Sequence, residues 1–91
     1  PTTIAIPPAR IASARLLVID DDRILLNQLR LAAIAAGCEL EIATTLADGR
    51  RAIAQNPPDA ILLDLNFGDD AEDGLSLLAE LDEQNSAIPV L

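Results

Sequence analysis

The chain has 91 residues, with 15 Asp and Glu against six Arg and no His, which gives a formal net charge of −9. This length allows one small domain, and the 51% of hydrophobic residues are enough to form a core. Because no basic stripe exists to neutralise phosphates, the composition argues against binding to nucleic acid or to an anionic membrane surface. A cation or a basic protein surface fits the charge better.

The predicted elements alternate between strand and helix. Residues 1–14 carry two adjacent prolines and are interpreted as a linker or arm, and residues 15–91 as the domain. Apolar runs and alternating segments predict strands, and helical periodicity predicts helices between them. In chain order, the predicted strands cover residues 15–20, 38–43, 59–64 and 87–91, and the predicted helices cover about 22–36, 44–55 and 73–84.

Short polar and glycine signals set the ends of these helices. Either Asp21 or Asp22 caps the first helix, and Gly37 ends it. Thr44 or Thr45 caps the second helix, and Asn56-Pro57-Pro58 breaks it.

Short aliphatic strands that alternate with helices predict a parallel sheet with helices on both faces. Right-handed crossovers then place the first helix on one face and the other two helices on the opposite face. The expected architecture is a doubly wound α/β sheet of strand order 2-1-3-4. Its order reverses between the first and third strands, and ligands bind at such a switch point, outside the carboxyl ends of the strands.

Carboxylates gather at this switch point. Asp20, Asp21 and Asp22 directly follow the first strand, and Asp64 follows the third. Two carboxylates at ~4 Å repel by about 4 kcal/mol at an effective dielectric near 20, and a hard divalent ion such as Mg²⁺ removes that cost. With no His and one Cys in the chain, zinc and copper fit poorly. One of the three consecutive aspartates is enough for a helix cap, so the others favour a cation site.

The first helix is more apolar than one contact with a sheet requires. Its sheet-facing side is predicted to hold Leu25, Leu26, Leu29, Ala32, Ala33 and Ala36. Ile24, Leu31 and Ile34 fall on a second sector, so we expect a further neighbour for this helix, or self-association as a homodimer if the sector stays uncovered.

The remaining bulk features concern location. Cys38 is the one cysteine, so an internal disulfide is excluded. Its apolar segment predicts a small core residue, and a lone cysteine favours a reducing, cytoplasmic setting. No apolar stretch approaches the roughly 18 residues that a membrane helix needs, and no signal peptide is visible.

Four blocks of sequence follow one another along the chain, namely LLVIDDDRILLNQLRLAAIAAG, PPDAILLDLN, DGLSLLAEL and AIPVL, and similar blocks occur in the same order in response regulators. From about Arg15 to Leu91 the chain therefore resembles a response-regulator receiver domain. The resemblance implies a flavodoxin-like fold. It also implies Mg²⁺-dependent transfer of a phosphoryl group to an aspartate from a sensor histidine kinase or a phosphotransfer protein, in a two-component phosphorelay.

The resemblance also assigns roles to the residues. Asp64 corresponds to the phosphoacceptor, and Asp20 and Asp21 to the acidic pair, with Asp21 favoured as the direct metal ligand. Asn66 would offer its backbone carbonyl to the metal, and Asp22 would cap the helix. A domain of this kind is not an enzyme, apart from catalysing its own phosphorylation.

Two departures from the family pattern stand out. Gly68 replaces the usual Pro, and Gly74 comes about two positions late, so the acidic loop from Phe67 to Glu72 is longer than usual; we interpret it as a solvated loop. Up to Leu91, the chain has no counterpart of the family's Ser/Thr after the fourth strand or of its Lys after the fifth strand. The fifth strand itself and the last helix are missing as well. We therefore expect either a fragment of a longer protein or a truncated receiver.

Two other functions fit parts of the pattern. A pseudo-receiver would keep the fold as a protein-interaction module without phosphorylation, as the missing Ser/Thr and Lys would favour. Asp20-x-Asp22 after an apolar strand also resembles the opening motif of haloacid-dehalogenase-type phosphatases, with Asp20 as nucleophile. That family expects Thr or Val where Ile24 stands, so this second alternative is the weaker one.

Overall fold

The computed structural model describes residues 14–64, 74–84 and 87–91. Strands and helices alternate along the chain as predicted, with slightly shorter ends. The acidic loop and the predicted helix start at Asp73 lie outside the described residues. The elements are β1 (Arg15–Ile19), α1 (Arg23–Ala36), β2 (Glu39–Ala43), α2 (Leu46–Gln55), β3 (Ala60–Leu63) and α3 (Gly74–Glu83).

The three strands form a parallel sheet of order β2-β1-β3, which confirms the predicted position of the switch point between β1 and β3. Residues 87–91 lie on the far side of β3, where the prediction placed a fourth strand. They join it through a single bridge between Ile61 and Val90. The Leu91 N–H donates to the Ile61 carbonyl oxygen at 2.8 Å, but Pro89 has no N–H to extend the ladder further.

The helices cover the sheet on both faces, as the handedness rule requires. Alternate strand residues face α2 and α3, with which they form one apolar cluster made of Leu17, Ile19, Ala43, Leu46, Ile61, Leu63, Leu77 and Leu81. Helix α1 packs on the other face, where Leu26 and Ala33 are its buried residues. The core therefore holds β1 between two layers of helix, which fixes the position of its carboxyl end.

The ends of α1 are set by the residues that flank it. An Asp22 carboxylate oxygen accepts from the N–H groups of Ile24 at 3.0 Å and Leu25 at 3.2 Å. Gly37 has a φ of 75°, in the left-handed region, and its N–H donates to the Ile34 carbonyl oxygen at 3.2 Å. Of the two aspartates proposed as the cap, Asp22 is thus the one that performs it.

Two different sides of α1 are left without a neighbour in the described part of the chain. Ile24, Leu31 and Ile34 are 74%, 66% and 77% exposed, so no described element covers the sector that was predicted to need a further neighbour. The second side is an apolar cavity of about 220 Å³ between α1 and the sheet, lined by Leu16, Val18, Leu29, Ala32, Ala33, Ala36, Cys38, Leu40, Leu62 and Leu91. At 100° per residue these sides point in different directions, so a neighbour in the cavity would leave the exposed sector uncovered.

Cys38 differs from its prediction. It is half-buried in the wall of this cavity and is not a core residue, because the space beside α1 is open there. No helix in the described ranges is long and apolar enough to cross a membrane.

Candidate functional site

The pairing of β1 with β3 brings two aspartates to neighbouring strand ends. Ile19 and Leu63 are partners in the parallel register, so Asp20 and Asp64 follow paired residues. The Asp64 N–H donates to the Ile19 carbonyl oxygen at 3.3 Å. On the other side, the Asp20 N–H donates to the Ala43 carbonyl oxygen at 3.1 Å. The peptide unit between Ile19 and Asp20 is thus joined to both neighbouring strands at the carboxyl edge of the sheet, through the Ile19 carbonyl oxygen on one side and the Asp20 N–H on the other.

Asp20 has an unusual environment for a carboxylate. It is 7% exposed, and within the described ranges it is the only buried charged residue. One of its carboxylate oxygens accepts from the Asp22 N–H at 3.0 Å. Burial removes water from the charge, and a single hydrogen bond offsets only part of that cost. A cation at this edge of the sheet would offset the remainder.

The three consecutive aspartates therefore have different environments. Asp20 is buried under the edge of the sheet, Asp21 is exposed, and the exposed Asp22 uses its carboxylate for the α1 cap. Asp64 is half-buried. The predicted backbone ligand, Asn66, lies outside the described residues. The structure thus places Asp20, Asp21 and Asp64 at one edge of the sheet.

The side chains at this edge fit one kind of metal better than others. Among the described residues, no group of three or more His, Cys, Asp or Glu side chains converges as a ready protein cage. The donors at the strand ends are carboxylate oxygens, which suit a hard cation. Mg²⁺ usually keeps several waters and takes one or two carboxylates, so a hydrated Mg²⁺ is compatible with this edge, whereas zinc sites in proteins are built mainly on nitrogen and sulfur ligands.

One residue near the site was missed by the sequence reasoning. Gly49 lies in the middle of α2 and is buried against β1. A Cβ added there would lie 2.6 Å from Ile19 Cδ1 and 3.0 Å from Ile19 Cγ1. The signal in the sequence was a glycine inside a helical pattern, which usually has a packing reason.

Comparison with known proteins places the chain among similar sequences and folds. The Response regulator receiver domain family matches residues 16–91. Transcriptional regulatory protein PrrA of Mycobacterium tuberculosis is 35% identical over 80 residues, which cover 88% of this chain and 34% of that protein. This chain thus spans about a third of that relative's length.

Solved structures agree with this comparison. NtrX from Brucella abortus superposes with a TM-score of 0.76 at 28% identity, over 86% of this chain and 18% of that chain. A putative response regulator from Chloroflexus aurantiacus J-10-fl gives a TM-score of 0.75 at 26% identity, over 86% of this chain and 64% of that chain. The flavodoxin-like fold expected from the sequence is confirmed by this likeness and by the strand order.

Proposed function

The chain belongs to the response regulator receiver domain family, and from that premise we propose that it accepts a phosphoryl group on Asp64 in two-component signalling. The observation that carries the proposal is the pairing of β1 with β3, which sets Asp64 beside the buried Asp20 at the carboxyl edge of the sheet. This is the switch point at which ligands bind in doubly wound sheets.

The proposed chemistry needs few protein groups. A carboxylate oxygen of Asp64 attacks the phosphorus, forming the new P–O bond of an acyl phosphate, while the bond from phosphorus to the donor atom breaks and its electron pair leaves with the donor. Because aspartate is ordinarily ionised at neutral pH, no separate general base is required. The remaining demand is neutralisation of the phosphoryl oxygens, whose charge grows close to Asp20 and Asp21.

We propose Mg²⁺ as the group that meets this demand; Asp20, Asp21 and Asp64 would hold it, in part through its waters, with the Asn66 backbone carbonyl. Bound Mg²⁺ supplies positive charge to the phosphoryl oxygens and relieves repulsion among the carboxylates. The protein's own part is to fix Asp20 through its backbone bond to Ala43 and its side-chain bond to Asp22.

The proposed donor is a sensor histidine kinase or a phosphotransfer protein in the cytoplasm. The phosphoryl transfer would be the domain's only catalysed step, acting on itself. PrrA is named as a transcriptional regulator, and we propose that the present domain likewise controls an output outside residues 15–91. The chain has a formal net charge of −9, so we do not expect this domain itself to bind nucleic acid.

The test is incubation of the purified chain with acetyl phosphate, with and without Mg²⁺, followed by intact-mass spectrometry. We expect the mass of one phosphoryl group to be added only in the presence of Mg²⁺. No mass gain under conditions that phosphorylate a known receiver would contradict the proposal and favour the pseudo-receiver. A stable phosphoryl adduct on Asp20 in place of Asp64 would favour the phosphatase alternative.

A further inference from the structure

The local backbone conformation does not explain why a glycine occupies position 49 in α2. Glycine is among the poorest residues for a helix interior. Gly37 is the one glycine with a positive φ among the described residues, so Gly49 needs no backbone freedom that other residues lack. Space is what it provides, because a Cβ at this point would overlap the Ile19 side chain.

The contact that Gly49 allows lies directly beneath the acidic edge. Ile19 is fully buried and is the last residue of β1, immediately before Asp20. Its carbonyl oxygen accepts the Asp64 N–H at 3.3 Å. A displacement of the Ile19 backbone would therefore act on both aspartates, on Asp20 through the chain and on Asp64 through the hydrogen bond.

We infer that Gly49 is a positioning residue for the acidic site: its missing side chain lets α2 rest on Ile19 and so holds the end of β1, from which Asp20 extends and to which the Asp64 N–H donates. Interiors are close-packed and Ile19 is fully buried, so a methyl group at Gly49 must shift the Ile19 side chain or lift α2. The inference rests on the proposed metal and phosphoryl site, since its consequence is the geometry of those two carboxylates.

The experiment measures Mg²⁺ affinity by titration calorimetry on the whole chain, together with the backbone amide resonances of Asp20 and Asp64 in metal-free protein. Gly49→Ala should raise the Kd for Mg²⁺ about tenfold, the size of effect typical of residues that orient metal ligands. Both amide resonances should move before any metal is added. Adding Ile19→Val, which removes the nearest overlapping carbon, should return the Kd toward the wild-type value.

A matched control separates positioning from general loss of stability. Leu81→Ala truncates a core residue of α3 that is 5% exposed and contributes none of the three atoms nearest a Cβ at Gly49, all of which belong to Ile19. It should lower the unfolding midpoint at least as much as Gly49→Ala while leaving the Kd of the folded protein unchanged. An equal rise in Kd for Leu81→Ala, or an unchanged Kd for Gly49→Ala, overturns the inference.

Two further outcomes remain distinguishable. If wild-type protein does not bind Mg²⁺, the proposed metal site fails; the positioning role then stands or falls on whether Gly49→Ala moves the two amide resonances. If Gly49→Ala does not fold, Ile19→Val alone loosens the same contact and should raise the Kd by a smaller factor. An unchanged Kd and unmoved amides in that variant also overturn the inference.

Discussion

The backbone N–H of Asp64 donates a hydrogen bond to the carbonyl oxygen of Ile19, with nitrogen and oxygen 3.3 Å apart. Because Asp20 follows Ile19, this bond places the proposed phosphoacceptor beside a buried carboxylate. The β1–β3 pairing also marks the reversal of strand order in the sheet. Strand pairing at the centre of the sheet and the proposed chemistry at its edge therefore depend on the same residues.

Mutation should distinguish the roles of the three consecutive aspartates. Asp22→Ala removes the α1 cap, whose carboxylate accepts two backbone hydrogen bonds, and should lower the free energy of unfolding by about 1 kcal/mol. Asp22→Asn keeps a capping oxygen and should cost less. Urea unfolding of metal-free protein measures both.

Asp21 supplies the matched control for this cap prediction. It is exposed, so Asp21→Asn should leave metal-free stability within about 0.5 kcal/mol of wild type. The same change should weaken Mg²⁺ binding, whereas Asp22→Asn should not. The division of roles would be wrong if both variants weakened Mg²⁺ binding equally.

Mg²⁺ should stabilise the folded chain. At a ~100-fold excess over its Kd, a ligand specific for the native state adds about 2.7 kcal/mol to the free energy of unfolding. Asp20→Asn should lose most of this gain, although its amide oxygen can still accept from the Asp22 N–H. Urea unfolding at matched ionic strength gives the measurement, since added salt also screens the net charge of −9.

Glu41→Gln is the control for charge alone in that experiment. Glu41 is exposed on the outer strand β2, and its substitution also removes one negative charge. It should retain the full gain from Mg²⁺. If Asp20→Asn and Glu41→Gln lost the Mg²⁺-dependent stabilisation equally, Mg²⁺ would be acting as a general counter-ion and not at a specific site.

Gly37 should resist substitution for a conformational reason. Its φ of 75° lies in the left-handed region, where a residue with a Cβ costs about 1–2 kcal/mol. Gly37→Ala should therefore lower the free energy of unfolding by about that amount, and Gly37→Asn by less, since asparagine tolerates this conformation better. Equal losses in the two variants would contradict this explanation.

Arg15 should contribute more to stability than the surface Arg51. An Arg15 side-chain N–H group donates to the Asn56 carboxamide oxygen at 2.9 Å and to the Pro57 carbonyl oxygen at 3.1 Å. Its side chain is 29% exposed, against 63% for Arg51, which pairs with Asp48 along α2. Arg15→Met should cost about 1 kcal/mol and Arg51→Met less than about 0.5 kcal/mol in thermal or urea unfolding. A larger loss of stability for Arg51→Met than for Arg15→Met would contradict this prediction.

Much of the fold was predictable because local signals agreed with one another. Aliphatic runs, helical periodicity and capping residues each indicated the same boundaries, and handedness then set the faces. Residue types alone could not decide between Asp21 and Asp22 as the cap, since either carboxylate could accept the bonds; the family resemblance assigned the cap to Asp22, and the structure confirms it. The role of Gly49 was hidden because it depends on a contact with Ile19, 30 residues earlier in the chain, and on the spacing of two layers.

The sides of α1 show a second limit. The sequence predicted that Ile24, Leu31 and Ile34 form a sector apart from the sheet-facing side, and the structure confirms it, since all three are exposed. The cavity lined by Leu29, Ala36 and Cys38 was not predicted. Small residues on a helix face indicate close packing, and only the position of the neighbouring element shows that a space is left open.

The most direct test of the account compares wild-type chain with Asp64→Asn and Asp59→Asn after incubation with Mg²⁺ and acetyl phosphate. Asp59 is the matched control, since it precedes β3 at the opposite edge of the sheet, where its carboxylate accepts from the Arg15 N–H at 2.7 Å. Intact-mass spectrometry should show one phosphoryl group on wild type and Asp59→Asn, and none on Asp64→Asn. Equal phosphorylation of Asp64→Asn would contradict the central claim.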